Sequence, residues 1–125
     1  MDRAACLEFM YAKLLEEQFI FRDLYLSAME EWEVRPMVVD GISIGVIAQR
    51  GPEIHVSINK DGALKYARRI IRECLTQGIA EHGYMTTRAL RGDARTAQFL
   101  GRLGFYRITE DNDCVLYRIT QTKIQ

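Results

Sequence analysis

Three runs of β-branched and apolar residues, Glu33 to Val39, Ile42 to Gln49 and Glu53 to Ile58, are cut apart by Asp40-Gly41 and by Arg50-Gly51-Pro52. Asp-Gly suits a two-residue hairpin turn, whose central positions both take positive φ. In Glu53-Ile54-His55-Val56-Ser57-Ile58 apolar residues alternate with polar ones, the two-residue period of a strand. These features predict three consecutive antiparallel strands in the first half of the chain and rule out an all-helical fold.

Upstream the period is different. Leu7, Met10, Leu14, Phe21, Tyr25, Ala28 and Trp32 fall on one helical stripe, with Glu8, Lys13, Glu16, Arg22 and Glu30 elsewhere. The run Phe19-Ile20-Phe21 allows either one long helix or two with a bend. Downstream of the third strand, Leu64, Ala67, Ile71, Cys74 and Leu75 give a second helical stripe, expected to end near Gly78, with Lys65, Arg68, Arg69 and Arg72 on its flank. A strand from Tyr84 to Leu90 follows. Asp93 is placed to cap a helix of Ala97, Leu100 and Leu103 that Gly104 ends. Phe105 to Thr109 and Val115 to Thr120 close the chain as a hairpin around Glu110-Asp111-Asn112-Asp113. The predicted class is α+β, a mixed, mostly antiparallel sheet flanked by helices, in a single domain over 1–125 whose first 32 residues are helical.

Composition narrows the function classes. Seventeen Lys and Arg balance seventeen Asp and Glu, which leaves no broad basic surface for a nucleic-acid backbone. Cys6, Cys74 and Cys114 lie far apart with only His55 and His82 to help them, which argues against a metal site. The charged opening MDRAACLEFMYAKLLEEQ lacks both the apolar centre of a secretion signal and a membrane span, so the expectation is an intracellular protein with free thiols.

The stretch from 53 to 75 carries the chemistry. A strand that ends at a polar, glycine-containing turn and feeds a helix points unpaired N–H groups outward, an arrangement that binds anions. Lys65 and Arg68 add positive charge there, so a phosphate or pyrophosphate is one reading and a solvated basic helix face is the other.

The order of elements, the run from Glu53 to Ile58 leading into Ala67-Arg68-Arg69-Ile70-Ile71-Arg72, and Asp93-x-x-Thr96-Ala97-x-Phe99-x-x-x-Leu103-Gly104-Phe105 together resemble the GNAT-type N-acetyltransferase superfamily over residues 33 to 120. A looser, narrower likeness is to small GNAT-like proteins encoded by bacteriophages. The resemblance implies acetyl-CoA as cofactor. Its pantetheine arm would pair with the strand at Val56, Ile58 and Asn59, and its pyrophosphate would rest on the turn and helix at Lys65, Tyr66, Ala67 and Arg68. Asp93 and Phe99 would lie in the second cofactor motif. The family's loop pattern falls on Gly62-Ala63-Leu64-Lys65-Tyr66-Ala67, where only Ala67 matches; Gly62 replaces a basic residue and Lys65 a glycine. The family often carries a Tyr that protonates the departing thiolate, and Leu100 stands in its place. The family also begins with a strand, whereas this chain begins with helix.

Acetyl transfer needs a base for the ammonium of the acceptor. Glu53 and His55, two residues apart on one strand, share a face and are the candidates. Tyr106 is a substitute general acid, with Tyr117 behind it. Cys74 is expected in the core and Cys114 at a strand end.

Two functions follow. One is an acetyl-CoA-dependent N-acyltransferase acting on a primary amine, small or borne on a protein. The other is an inactive descendant of that fold used for binding or assembly. A nucleic-acid module on the Lys65–Arg72 face is a third and weaker reading, and the Met- and aromatic-bearing N-terminal segment offers a homodimer face. The expected location is the cytoplasm, or the host cytoplasm or virion for a phage protein.

Overall fold

The computed structural model describes residues 2–59 and 64–122. The elements are α1 (Arg3–Leu15), α2 (Arg22–Ala28), β1 (Glu33–Val39), β2 (Ile42–Arg50), β3 (Glu53–Ile58), α3 (Leu64–His82), β4 (Met85–Leu90), α4 (Ala94–Leu103), β5 (Tyr106–Glu110) and β6 (Cys114–Ile119). The six strands form one sheet in the order β1-β2-β3-β4-β6-β5. The predicted order of elements and the mixed α+β class hold. The chain divides into two compact units, Met1–Arg50 with His55–Ala67, and Gly51–Ile54 with Arg68–Gln125.

In the first unit the N-terminal segment is two helices. Asp2 caps α1 by accepting from Ala5 N at 2.8 Å. Two tyrosines tie the helices together: Tyr11 Oη donates to Ile20 O at 2.6 Å, Tyr25 Oη donates to Leu7 O at 2.8 Å, and their rings lie 5.0 Å apart. The single stripe expected from Leu7 to Trp32 is therefore corrected. Residues 16–21 break the helix and reset its phase, so Cys6, Tyr11 and Tyr25 are buried while Phe21 and Ala28 are exposed.

The β1–β2 hairpin pairs Glu33 with Gln49 through to Val39 with Ile42, and Asp40 and Gly41 both take positive φ (51° and 77°), as the Asp-Gly pair requires. From Ile44 to Ala48 β2 is buried at every position, which explains its apolar run without alternation. After the turn at Gly51-Pro52, β3 folds back on β2, and Asn59 N donates to Ile44 O at 2.9 Å. Among the described residues no strand precedes α1, so β1 opens the sheet.

In the second unit the helix expected to end near Gly78 continues to His82. A Cβ on Gly78 would collide with the Met85 side chain, so glycine here permits close packing of α3 on β4. Gly83 ends the helix instead, at φ 85°, its N–H donating to Ile79 O at 2.7 Å. β4 starts at Met85, one residue later than expected, while β5 (Tyr106–Glu110) and β6 (Cys114–Ile119) are displaced by one residue from their expected bounds. β4 and β6 pair antiparallel from Met85 with Ile119 to Leu90 with Cys114, and β5 pairs antiparallel with β6. Met85, Thr87, Ala89, Val115, Tyr117 and Ile119 are buried on one side of these strands. Cys74 is buried as expected.

Candidate functional site

The cofactor residues of the first unit lie on β3 and the opening of α3. On β3, Glu53, His55 and Ser57 alternate with Ile54, Val56 and Ile58, so the two sets face opposite sides. Val56 and Ile58 are half-buried. Asn59 already has partners on β2: its backbone N–H donates to Ile44 O, and its side-chain amide donates to Ser43 O at 3.3 Å. Its backbone N–H is thus engaged within the fold.

In the first turn of α3, Lys65 is exposed, Tyr66 is exposed (53%) and Ala67 is fully buried. A small residue fits at Ala67 because the helix packs closely there. Neither Lys65 nor Tyr66 folds its side chain back into the protein. Arg68, in the next position, is half-buried and its Nε makes no hydrogen bond. Arg69 sits outward, opposite Glu73 at 3.9 Å. Gly62 and Ala63, where the sequence places the N–H cradle, lie outside the described residues.

His55 is packed against the N-terminal segment, a partner that the sequence did not name. Its ring lies 5.2 Å from that of Trp32, tilted by 51°, and the Arg50 guanidinium covers the other ring system at 5.0 Å from the Trp32 centroid. Trp32 closes the N-terminal segment, and only its place just before β1 hinted at this contact.

The remaining candidates belong to the second unit. Asp93 caps α4, its carboxylate accepting from Thr96 N at 3.1 Å and from Thr96 Oγ1 at 2.6 Å. Those bonds, the hydroxyl first, hold the Asp93 carboxyl below its ordinary value. Gly104 ends α4 with φ 116°. Phe99 is half-buried on this helix, and Leu100, in the place of the family's tyrosine, is buried (7%) with no proton to give. Tyr117 is likewise core. Tyr106 is the exposed one (45%), on β5. Cys114 begins β6, its N–H bonded to Asp111 Oδ1 at 2.7 Å, as a strand-end thiol.

Register brings Glu53 and Tyr106 onto one side of the sheet. Glu53 pairs with Thr86, Thr86 with Arg118, and Arg118 with Tyr106. Directly paired residues point to the same side, so the four form a cross-strand row. Thr87, the next residue on β4, points the other way and donates through Oγ1 to Ile54 O at 2.6 Å. Arg118 belongs to none of the sequence motifs. Its signal was a charged residue at a strand position flanked by the buried Tyr117 and Ile119.

Among the described residues no cluster of His, Cys, Asp and Glu is placed to hold a metal, and no helix is long and apolar enough to cross a membrane. No protein-family model matches the sequence, and no curated protein matches it. Solved structures do match its fold. The chain is similar to a ribosomal-protein-S18-alanine N-acetyltransferase from Escherichia coli, with a TM-score of 0.70 at 10% identity over 100% of this chain and 93% of that one. It is similar to a variant of the spermidine N-acetyltransferase SpeG from Vibrio cholerae, with a TM-score of 0.71 at 12% identity over 96% and 92%. A third is the N-acetyltransferase PseH of Campylobacter jejuni in complex with acetyl coenzyme A, with a TM-score of 0.65 at 13% identity over 98% and 94%. All three come from bacteria, and none supports the narrower likeness to phage proteins. The architecture is that of the GNAT acetyltransferase fold.

Proposed function

We propose that this chain, which has the GNAT fold, is an acetyl-CoA-dependent N-acetyltransferase that acts on a primary amine. The observation that carries this reading is the junction of β3 with α3. There the half-buried Val56 and Ile58 lead to a helix that opens with an exposed Lys65, a buried Ala67 and an Arg68 whose Nε has no hydrogen bond. A cationic helix start with an orphaned guanidinium nitrogen suits a diphosphate. Val56, Ile58 and the carbonyl of Asn59 would hold the pantetheine arm, and Lys65, Tyr66 and Arg68 the phosphates. Bound acetyl-CoA supplies an acyl thioester, from which the acetyl group passes to the amine as the C–N bond forms and the C–S bond breaks.

Glu53 is the base in this proposal, taking the ammonium proton directly or through a water so that the amine attacks as a neutral nucleophile. His55 packs on Trp32 and is assigned no proton transfer. Tyr106, exposed in the same row as Glu53, is assigned as the acid that returns a proton to the thiolate. The test is thiol release from acetyl-CoA with a panel of amines that includes spermidine. Glu53→Gln is expected to lower kcat by about 10²-fold or more, and Tyr106→Phe by less. Equal activity of Glu53→Gln and the parent chain overturns the assignment of the base.

One observation favours a second reading. Leu100 fills the family's tyrosine place with a buried aliphatic side chain. A binding or assembly protein that has kept the fold without the chemistry needs no acid there. It is expected to release thiol at the background rate with every amine.

A further inference from the structure

On the second unit, the side of the strands that carries the Glu53–Thr86–Arg118–Tyr106 row differs from its reverse. Thr86, Leu116 and Arg118 are half-buried and Arg88 and Tyr106 exposed, whereas the residues between them are core. Arg118 sits in the middle. Its guanidinium carbon lies 5.3 Å from the Tyr84 ring centre, its cross-strand neighbour Tyr106 stands on the other flank, and its Nε is buried without a hydrogen bond. Among the described residues no carboxylate is in ion-pair reach of it. The nearby Arg88 differs, since its charge acts on Asp111, whose carboxylate also accepts from the N–H groups of Asp113 and Cys114.

A desolvated guanidinium nitrogen without an acceptor is costly. The arrangement has a use if the missing acceptor arrives with a ligand. The planar fork of Arg, set beside the Tyr84 ring, is suited to a carboxylate or phosphate oxyanion taken bidentately. The register adds a second constraint. Arg118 and Glu53 lie on one side of the sheet with only β4 between their strands, a separation of roughly 10 Å between backbones. A ligand that spans the row meets a negative group at Glu53 and a positive one at Arg118, the charge order of an amine that also bears an oxyanion.

We infer that Arg118 is a specificity residue and that the acceptor is an amine carrying a carboxylate or phosphate, its anionic end on Arg118 and its amine toward Glu53. This rests on the transferase reading for turnover, but the binding it asserts is measurable without acetyl-CoA. The probes are 4-aminobutyrate against butylamine and O-phosphoethanolamine against ethanolamine, with binding followed by ligand-detected NMR and turnover by thiol release.

At least one anionic amine is expected to bind about tenfold more tightly than its counterpart without the oxyanion. Arg118→Gln removes that preference through KM with kcat largely kept. Arg118→Lys keeps the charge without the fork and retains part of the preference, and it decides the matter if Arg118→Gln does not fold. Coenzyme A affinity stays unchanged in both variants. Equal binding of the paired amines, binding of neither anionic amine at millimolar concentration, an unchanged preference in the folded variants, or a tenfold loss of coenzyme A affinity in them overturns the inference. Failure of the transferase reading has a different signature: no coenzyme A binding and background thiol release, whatever the amines do.

Discussion

Trp32 and His55 pack ring against ring, 5.2 Å between centroids, and join the residue before β1 to the middle of β3. Trp32 is also the chain's sole tryptophan, so its emission reports on this contact. His55→Ala is expected to cost about 1 kcal/mol from the lost ring contact and to change Trp32 emission, while thiol release stays within a few-fold of the parent. A loss of activity as large as that of Glu53→Gln, with stability unchanged, assigns the proton transfer to His55 instead.

Asp93 holds the start of α4 through Thr96. Asp93→Ala is expected to lower stability by about 1 kcal/mol, read from denaturant midpoints. The carboxyl titrates below its unfolded value, so its contribution is present above that value and is lost as pH falls through the lower folded one. As pH falls below the ordinary carboxyl value of 3.8, stability of the parent chain therefore drops more steeply than that of Asp93→Asn.

Burial, reinforced by the Glu8 carboxylate, pushes the Tyr25 hydroxyl up to about 12. Its hydrogen bond to Leu7 O requires the proton. The stabilisation is complete below the unfolded value near 10 and is lost as pH rises toward 12. Tyr25→Phe is expected to cost about 1 kcal/mol at neutral pH and to flatten the alkaline fall in helix content measured by circular dichroism.

The Met85 side chain occupies the space that a Cβ on Gly78 would need. Gly78→Ala is expected to destabilise by about 1–3 kcal/mol through overpacking. Adding Met85→Ala, which removes the colliding atoms, makes the double variant less destabilised than the sum of the singles, and a double-mutant cycle measures the difference. Strict additivity contradicts the contact.

Elements whose signal was local were legible in the sequence. Asp40-Gly41 set the first hairpin, Asp93 and Gly104 bounded α4, and alternation from Glu53 to Ile58 marked β3 to the residue. Gly78 misled because its reason is tertiary: a glycine that accommodates Met85 looks, in one dimension, like one that ends a helix. The N-terminal stripe held only in part, because the chain takes the two-helix reading that Phe19-Ile20-Phe21 allowed and the break at 16–21 resets the helical phase. The candidate site is written in the sequence only as residue types. Glu53 and Tyr106 were singled out as residue types, but the row that joins them runs through Thr86 and Arg118, and cross-strand register is not written in the order of residues. The packing of His55 on Trp32 was hidden for the same reason.

The most direct test of the central claim is a calorimetric titration of the full chain with acetyl-CoA, repeated on a variant with Lys65→Ala and Arg68→Ala. A saturable heat with one site, weakened by about tenfold or more in the variant, is the expected result. No heat at millimolar ligand, or equal affinity in both proteins, contradicts a cofactor seat where β3 gives way to α3.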